Sequence, residues 1–555
     1  MLFKKCTAAF LCALLLFSSA SCRSPEDSSA SAENTGSSAE ESSFLDNELA
    51  LTDESLLSAE IPDDNARVFY EIFTGSFSDS DGDGIGDLRG ILNRIDYLND
   101  GDPDSGKSLG VEGLWLTPVF DSVSYHKYDV TDYYSIDPDF GSEEDLKALT
   151  DACHERGMKL ILDLPINHTG SRNIWFTMFT QAHKNGNPKS KYYDYYSWYR
   201  EGETPPSRGT FRKIDGTDDW YECNFDSGMP ELNFDNENVR EDVLNIARYY
   251  MNLGVDGFRF DAAKYVYYGD NEKSAAFWEW YSGALRVEYP GIYIVYEVWD
   301  TDSLTYPYNT SGSCFDFTVS GAEGLIAEAA HHGNMNKYMS YIGRYLSKLA
   351  AAGDDALFTP FIANHDMDRA AGFLTVASGQ MQFAANVLLL SPGSPFIYYG
   401  EEIGMKGTRG GSGTDANRRL GMLWGDGDTV KDPEGTTYDP AKQTNGDVAG
   451  EIASETSLYT HYKKLIMIRK ANPEIARGEY TALSFSDTKV GGFTSTYNGS
   501  TVAVIHNPCG STQTVDLSSV TDLDLTELRA FVGMGSATLD GTTLTLDSYT
   551  SVVLK

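Results

Sequence analysis

From residue 66 onward, short apolar runs alternate with amphipathic helical patterns eight times. The runs span residues 66–73, 111–119, 158–167, 255–263, 292–299, 314–320, 357–366 and 395–404. Runs of this length are typical of strands that are buried on both faces. Strand and helix alternating eight times predicts an α/β fold, the (β/α)8 TIM barrel.

The segments between the runs carry helix signals. In SEEDLKALTDACHERG, Ser142 precedes the helical pattern and Asp145 follows three residues later. This spacing predicts a reciprocal capping arrangement at the helix start, and Gly157 predicts its end.

Two departures from the alternation divide the chain. Residues 170–235 are too long for a plain connection and predict a small domain inserted after strand 3. After about residue 475 the pattern has period two, and Asp540-Gly541 is a strong hairpin signal. We therefore expect the barrel in residues 66–169 and 236–474, and a C-terminal antiparallel β-sandwich domain in residues 475–555.

The first 22 residues have the features of an export signal: Lys4 and Lys5, a short apolar run and then small residues. The sequence SASC, which ends at Cys22, resembles a bacterial lipobox. That resemblance implies a lipid on Cys22 and an exported protein anchored to a bacterial membrane; simple secretion is the alternative. Residues 23–65 are acidic and rich in Ser, so we expect a disordered linker that acts as a tether.

The composition excludes several classes of function. The formal net charge of -39 and pI of about 4.5 provide no basic surface for phosphate backbones, so we expect no nucleic-acid partner. The cysteines form no CxxC pair, which makes a zinc site or a dense disulfide framework improbable. We expect a monomer.

A charged pair interrupts the apolar run GVDGFRFDAAKY. Because strand side chains alternate faces, Arg259 and Asp261 share one face while Phe258 and Phe260 share the other. Polar side chains also end the other runs, namely Asp163, Asn167 and His168, then Glu297, then His365 and Asp366. Since chemistry in these barrels lies at the carboxyl ends of strands, these side chains are candidates for one site; a structural Arg-Asp bridge is the alternative.

Four motifs carry a family resemblance. LDLPINH, GFRFDAAKY, YEVW and IANHD, in this order, resemble the four signature segments of the α-amylase family of glycoside hydrolases. The resemblance covers roughly residues 66–555. It implies that Asp261 is the nucleophile, Glu297 the general acid/base and Asp366 a third carboxylate. The positions that match sugar-contacting residues of the family are His168, Arg259 and His365.

The physical chemistry of the motifs agrees with these roles. A guanidinium next to a carboxylate commonly lowers its pKa by ~1 to 3 units, so we expect Arg259 to keep Asp261 ionised. Glu297 needs a retained proton. Its aromatic neighbours and the charges of Asp261 and Asp366 predict a raised pKa.

An upstream segment, SYHKYDVTDYYSIDPDFG, is also similar to the family. The resemblance implies that Tyr128 stacks on the reacting glucose and that His126 binds its hydroxyl groups. Exo-acting and α-1,6-cleaving relatives carry Asp at the position of Asp129, where it pairs with an arginine, here Arg419. Lys264 agrees with the α-amylases, so bond specificity stays open at this point.

The loop DSDGDGIGD offers oxygen ligands at alternate positions. The candidate ligands are the side chains of Asp79, Asp81, Asp83 and Asp87 and the carbonyl oxygen of Ile85. An oxygen-only set suits Ca²⁺, and the loop resembles the structural calcium loop of some α-amylase relatives. A metal-free acidic turn is the alternative.

These observations together predict a retaining α-glucan hydrolase that cleaves α-1,4 bonds of starch-type polysaccharides and maltooligosaccharides by double displacement. Within the same family, the alternatives are an exo-acting α-glucosidase, an oligo-1,6-glucosidase or a glucanotransferase. Outside enzymes, the alternative is a surface sugar-binding or transporter accessory protein, which would be indicated by a missing carboxylate.

Overall fold

A computed structural model gives the structure of residues 63–103, 105–353, 356–410, 414–427, 430–443, 445–485 and 489–555. The predicted signal, Cys22 and almost all of the predicted linker lie outside the described residues. Among the described residues, no helix combines the length and the apolar character needed to span a bilayer.

Eight parallel strands form the central sheet. They are β1 (Phe69–Ile72), β2 (Gly113–Leu116), β3 (Lys159–Leu164), β4 (Gly257–Phe260), β5 (Tyr293–Tyr296), β6 (Ser313–Phe315), β7 (Phe358–Thr359) and β8 (Phe396–Tyr398). Neighbours in the sheet follow chain order, β8 pairs with β1, and a bridge between Phe361 and Phe396 closes the ring. Seven strands lie within a predicted apolar run, and β6 begins one residue before its run, which confirms the barrel.

Side-chain alternation divides the barrel into an interior and an outer layer. The interior is filled by a cluster of large apolar residues, namely Phe69, Trp115, Ile161, Tyr293, Val295, Phe315, Phe361 and Phe396. Phe258 and Phe260 belong instead to the outer core under the helices. Because Glu71 is two residues from Phe69 and Arg259 lies between the two outer phenylalanines, both charged side chains face the interior.

Helices surround the sheet. They span Leu88–Asn93, Ile95–Leu98, Glu143–Glu155, Ile174–Lys184, Glu237–Asn252, Asn271–Glu288, Asp302–Thr305, Leu325–His332, Asn336–Ala352, Gln380–Leu389, Val448–Ile452, Leu458–Ala471 and Pro473–Arg477. The predicted capping box is confirmed: Ser142 accepts from the backbone N–H of Asp145, whose side chain accepts from the backbone N–H of Ser142.

Two excursions leave the barrel at the carboxyl ends of its strands. After β2, the strands Phe120–Ser122 and Val130–Ile136 form an antiparallel hairpin. After β3 come the helix Ile174–Lys184 and a three-stranded antiparallel sheet of Trp198–Arg200, Phe211–Lys213 and Asp219–Glu222. Both excursions border the site described below.

The C-terminal strands are antiparallel. They are β9 (Glu479–Leu483), β10 (Gly491–Tyr497), β11 (Ser500–His506), β12 (Gln513–Asp516), β13 (Leu528–Val532), β14 (Ala537–Asp540), β15 (Thr543–Leu546) and β16 (Ser551–Leu554). A five-stranded and a three-stranded sheet share one apolar core, as a β-sandwich requires. The predicted hairpin joins β14 to β15, with Gly541 at φ +59°.

A carboxyl group outside the site is buried behind β8. Glu401 is 3% exposed, and its Oε1 accepts a hydrogen bond from the hydroxyl of Tyr462 at 2.9 Å. Its Oε2 has no hydrogen-bond partner among the described residues. Burial raises the pKa of Glu401 to about 8.

We expect Glu401→Gln to flatten the pH dependence of stability. Between pH 4.5 and 8 this carboxyl group keeps a proton in the folded protein that it has lost in the unfolded chain. The free energy of unfolding therefore falls by about 1.4 kcal/mol per pH unit as pH rises through this range. Gln accepts the same hydrogen bond without titrating. Denaturant unfolding at several pH values measures this, and unchanged slopes in the variant would contradict it.

Candidate active site

Arg259 lies at the centre of the polar cluster above the apolar interior. It is fully buried, and its Nη1 donates to both carboxylate oxygens of Asp163, at 2.8 and 2.9 Å. The same nitrogen donates to Asp261 at 2.8 Å, and Nη2 lies 3.1 Å from Oε2 of Glu297. One guanidinium therefore binds carboxylates from the ends of three strands. Because this pairing compensates for the loss of water around the charges, Arg259 and Asp261 can occupy a site with little water.

The backbone after β4 adds a hydrogen bond to Glu297. Ala262 adopts the left-handed conformation, with φ +45°, and its backbone N–H donates to Oε2 of Glu297 at 2.9 Å. This conformation is uncommon for a residue with a Cβ atom and is found at functional sites where the surroundings enforce it. It places Glu297 beside Asp261.

Asp366 joins the cluster from the segment after β7. Its Oδ1 accepts from Nη2 of Arg419 at 2.7 Å, and its Oδ2 lies 3.0 Å from Nε2 of His365. The side chain of Asp366 is 28% exposed, whereas those of Asp261 and Glu297 are 12% and 11% exposed. The three carboxylates predicted to be catalytic thus share one partly open site.

The electrostatic environment shifts the pKa values of Glu297 and Asp366 in opposite directions. Burial raises the pKa of Glu297, Arg259 opposes this rise, and the charges of Asp261 and Asp366 add to it. The predicted direction for Glu297 is confirmed. Burial also acts on Asp366, but His365 and Arg419 hold its pKa well below the usual range.

The prediction for Asp261 is wrong in its net direction. Burial and the charge of Asp366 raise the pKa of Asp261 above its ordinary value, although Arg259 lowers it. The physical reason is that Arg259 serves Asp163, Asp261 and Glu297 together, so no single carboxylate receives its full stabilisation. Burial likewise raises the pKa of Asp163, to about 7.

Comparison with known proteins agrees with this geometry. The family model "Alpha amylase, catalytic domain" matches residues 71–478. The chain belongs to the α-amylase family. It is 33% identical to Alpha-amylase 3 of Dictyoglomus thermophilum over 495 residues, which cover 88% of this chain and 93% of that protein. It is 35% identical to the 4-alpha-glucanotransferase of Thermotoga maritima over 348 residues, or 61% and 72% of the two chains.

Solved structures show the same relationship. Amy13B of Eubacterium rectale superimposes with a TM-score of 0.83 at 32% identity, covering 90% of this chain and 98% of that one. The α-amylase from H. orenii superimposes with a TM-score of 0.75 at 34% identity, covering 88% and 99%. The barrel and its C-terminal sheets are therefore the α-amylase fold.

In this α-amylase family member, two of the predicted sugar-contacting histidines contact the segment between the strands of the hairpin after β2. His126 Nδ1 lies 3.0 Å from the hydroxyl of Ser124, and His168 Nε2 lies 3.0 Å from the carbonyl oxygen of Tyr128. Burial lowers the pKa of each to about 4, so both are neutral at pH 7. Tyr128 stacks on His365, with ring centroids 5.6 Å apart, and donates to Asp163 at 2.8 Å.

The pairing expected between Asp129 and Arg419 is not formed. Asp129 accepts hydrogen bonds from the backbone N–H and hydroxyl of Ser124. Arg419 instead donates to Asp366 and, at 3.1 Å, to the hydroxyl of Tyr125. Asp129 thus bonds locally through its Oδ1, and Arg419 bonds to the third carboxylate.

Lys264 lies at the edge of the site rather than in its centre. Its Nζ donates to the carbonyl oxygen of Trp299 at 2.7 Å and to Asp300 at 3.1 Å. The Trp299 ring is 46% exposed and stacks on Phe317 at 4.7 Å. Lys264 thus holds an exposed aromatic surface two residues after Glu297, suited to the apolar face of a sugar.

Sequence reasoning missed Glu71. This residue of β1 is 1% exposed, and its Oε1 lies 2.6 Å from Nδ1 of His365. The signal that could have found it is the one that identified Arg259: a charged residue at an interior-facing position of an apolar run.

The predicted calcium loop precedes the helix Leu88–Asn93. Carboxylate oxygens of Asp79, Asp81 and Asp87 lie within 4.8 Å of one another. Asp83 is not part of that group, and its Oδ1 accepts from the backbone N–H of Ile85 at 2.7 Å. The Ile85 side chain is 37% exposed.

We expect Asp261→Asn to lower kcat on maltooligosaccharides by about 10⁴-fold, because the amide cannot act as the nucleophile. Thermal unfolding should stay cooperative, since Asn can still accept from Arg259. Asp522→Asn, at a residue of the C-terminal domain, serves as the control and should retain full activity. Wild-type turnover in Asp261→Asn would refute the assignment.

Proposed function

We propose that the protein hydrolyses α-1,4-glucosidic bonds of starch-type polysaccharides and maltooligosaccharides with retention at the anomeric carbon. The observation that supports this most is the contact of one guanidinium, Arg259, with both Asp261 and Glu297. Retaining glycosidases need two carboxyl groups about 5 to 5.5 Å apart, and a shared guanidinium favours such a short separation over the wider spacing of inverting enzymes.

In the first step, protonated Glu297 donates its proton to the glycosidic oxygen. The carboxylate of Asp261 attacks the anomeric carbon, the bond from that carbon to the glycosidic oxygen breaks, and the leaving sugar departs with the proton. The raised pKa of Glu297 suits this role of general acid. The product of the step is a glucosyl ester of Asp261.

In the second step, ionised Glu297 takes a proton from water, and the water oxygen attacks the anomeric carbon. The ester bond breaks and Asp261 returns to its carboxylate form. Asp366, which His365 and Arg419 keep ionised, holds sugar hydroxyl groups and stabilises the positive charge that develops on the ring.

The alternatives in the family differ in acceptor and in binding pocket. A glucanotransferase replaces water with a sugar hydroxyl in the second step, and an exo-acting enzyme admits only a chain end. We place the exo-acting alternatives second because the Asp129–Arg419 pair that motivated them is not formed. A non-catalytic binding protein is disfavoured, since Asp261, Glu297 and Asp366 are all present.

Product analysis on defined maltooligosaccharides tests the bond and end specificity. We expect maltoheptaose blocked at its non-reducing end to be cleaved at internal α-1,4 bonds at a rate within about tenfold of the unblocked sugar. Release of glucose from the unblocked sugar, with no cleavage of the blocked sugar, would support an exo-acting enzyme instead. Products longer than the substrate would indicate glucanotransfer.

We also propose that Ca²⁺ binds the loop of residues 79–87. The donor set fits this ion, because carboxylate oxygens of Asp79, Asp81 and Asp87 converge and calcium prefers oxygen ligands. Asp87 also accepts from the backbone N–H of Gly90, so an ion here would stabilise the start of the helix after β1. Its role is structural, and no step of the reaction passes through it.

Removal of calcium should therefore lower the melting temperature. An ion at a hundredfold excess over its Kd stabilises the folded state by about 3 kcal/mol, so treatment with EDTA should lower Tm and added Ca²⁺ should restore it. Asp81→Asn should weaken this response, whereas Asp522→Asn should not. Equal melting temperatures with and without Ca²⁺ would exclude the site.

We further propose that the chain is a lipoprotein of a bacterial membrane, modified on Cys22, and that it acts as a monomer. The sequence SASC and the signal before it support the anchor. Cys22→Ala should move the protein from the membrane fraction to the soluble fraction, while Cys12→Ala, inside the same signal, should not. An unchanged distribution of Cys22→Ala would refute the anchor.

A further inference from the structure

Glu71 lies beneath the site, on the interior face of β1. Its Oε1 lies 2.6 Å from Nδ1 of His365, and the same oxygen accepts from the backbone N–H of His365 at 3.3 Å. Both residues are buried, at 1% and 0% exposure. The other ring nitrogen of His365 faces Asp366 and the hydroxyl of Tyr128, at 3.0 and 2.7 Å.

The hydrogen bonds around His365 place a proton on Nε2. The carboxylate of Asp163 accepts from Arg259 at both oxygens, so Tyr128 donates its only hydroxyl proton to Asp163. The Tyr128 oxygen can therefore only accept at His365. Since Asp366 is an acceptor as well, Nε2 of His365 carries a proton.

The contact with Glu71 places a second proton on Nδ1. A backbone N–H can only donate, so Oε1 of Glu71 is an acceptor in its contact with the main chain of His365. The same oxygen lies 2.6 Å from Nδ1, and this distance requires a proton between the two atoms. With Glu71 ionised, that proton lies on Nδ1, and His365 is an imidazolium that donates to a carboxylate at each ring nitrogen.

We propose that Glu71 is a positioning residue that keeps His365 protonated on both ring nitrogens and thereby keeps Asp366 ionised and oriented toward the reacting sugar. This inference rests on the proposed function, in which Asp366 stabilises the transition state. A hydrogen bond from a charged donor is shorter and stronger than one from a neutral donor, so the charge on His365 reaches Asp366 directly.

The charges around His365 favour this state. Burial opposes protonation of the ring, but the carboxylates of Asp366 and Glu71 raise the pKa of His365 to about 10. The other charged or titratable groups that act on His365 are Asp163, Asp261, Arg419 and the phenol of Tyr128. Those that act on Glu71 are Arg259, Tyr398 and Glu401; burial raises the pKa of Glu71, and His365 and Arg259 lower it. Arg259 contacts Asp163, Asp261 and Glu297, and Arg419 contacts Asp366, so Glu71 is the carboxylate at Nδ1.

Glu71→Gln tests the charge while keeping the shape. The amide oxygen of Gln accepts from the ring and from the backbone, but without the negative charge His365 loses its second proton at lower pH. We expect kcat at neutral pH to fall about tenfold, a size typical of the loss of a residue that orients another side chain at the site. In the proposed mechanism, deprotonation of Glu297 sets the alkaline limb of the wild-type kcat profile. We expect His365 of the variant to lose its second proton below the pKa of Glu297, so the limb should move to lower pH by at least about one unit.

A purely structural role would lower kcat equally at every pH and would leave the limb in place, and that result would overturn the proposal. Glu402→Gln is the matched control. Glu402 is also a buried carboxylate, and it accepts from the hydroxyl of Tyr70, the neighbour of Glu71 on β1. It does not contact His365, so its variant should show the wild-type pH profile.

A double-mutant cycle tests whether Glu71 acts through His365. In a His365→Gln background, Glu71→Gln should produce no further loss of kcat, because the group through which it acts is gone. Independent, multiplying losses would show that Glu71 acts by another route.

NMR of the wild-type protein tests the protonation state of His365 without requiring that a Glu71 variant folds. With ¹⁵N-labelled histidine, nine residues contribute signals, and the signals of His365 are those that disappear in His365→Gln. We expect both of its ring nitrogens to remain protonated at pH 8, whereas a neutral ring at that pH would refute the proposal. This measurement does not depend on activity, so it separates failure of the inference from failure of the proposed function.

Discussion

The buried guanidinium of Arg259 is the interaction on which the site depends. Removing a charge from water costs several kcal/mol, and this cost is offset only when the charge is paired and hydrogen-bonded. Here the compensation comes from β3, the end of β4 and the residue after β5, through Asp163, Asp261 and Glu297. The same arrangement that makes the guanidinium tolerable brings the proposed nucleophile and the proposed acid together.

The cluster also explains why Asp366 titrates differently from Asp261 and Glu297. Glu297 and Asp261 are buried and share Arg259 with Asp163, so burial outweighs the guanidinium and the pKa of each is raised. Asp366 contacts two cations, His365 and Arg419, and is more exposed, so its pKa is lowered. The number of neighbouring cations and the degree of burial thus distinguish Asp366 from the other two carboxylates.

Much of the fold and of the candidate site could be predicted from the sequence, because the relevant signals are local. Apolar runs identified the eight barrel strands, and the period-two pattern identified the C-terminal sandwich. The ends of those strands identified Asp261, Glu297 and Asp366, since parallel strands in a barrel bring their carboxyl ends to one face. Glu71 carries the same local signal as Arg259, but its pairing with His365, 294 positions away in the chain, could not be predicted because no local pattern links the two residues.

By itself, the sequence determined the barrel, the sandwich and the residues at the strand ends, because periodicity and strand direction decide which side chains face the interior. Only the tertiary structure decided which charges pair. It placed Arg419 on Asp366 rather than on Asp129, divided Arg259 among carboxylates from three strand ends, and placed Glu71 under His365. These pairings depend on distances of a few ångströms between groups that are far apart in the chain, and such distances exist only once the barrel has closed.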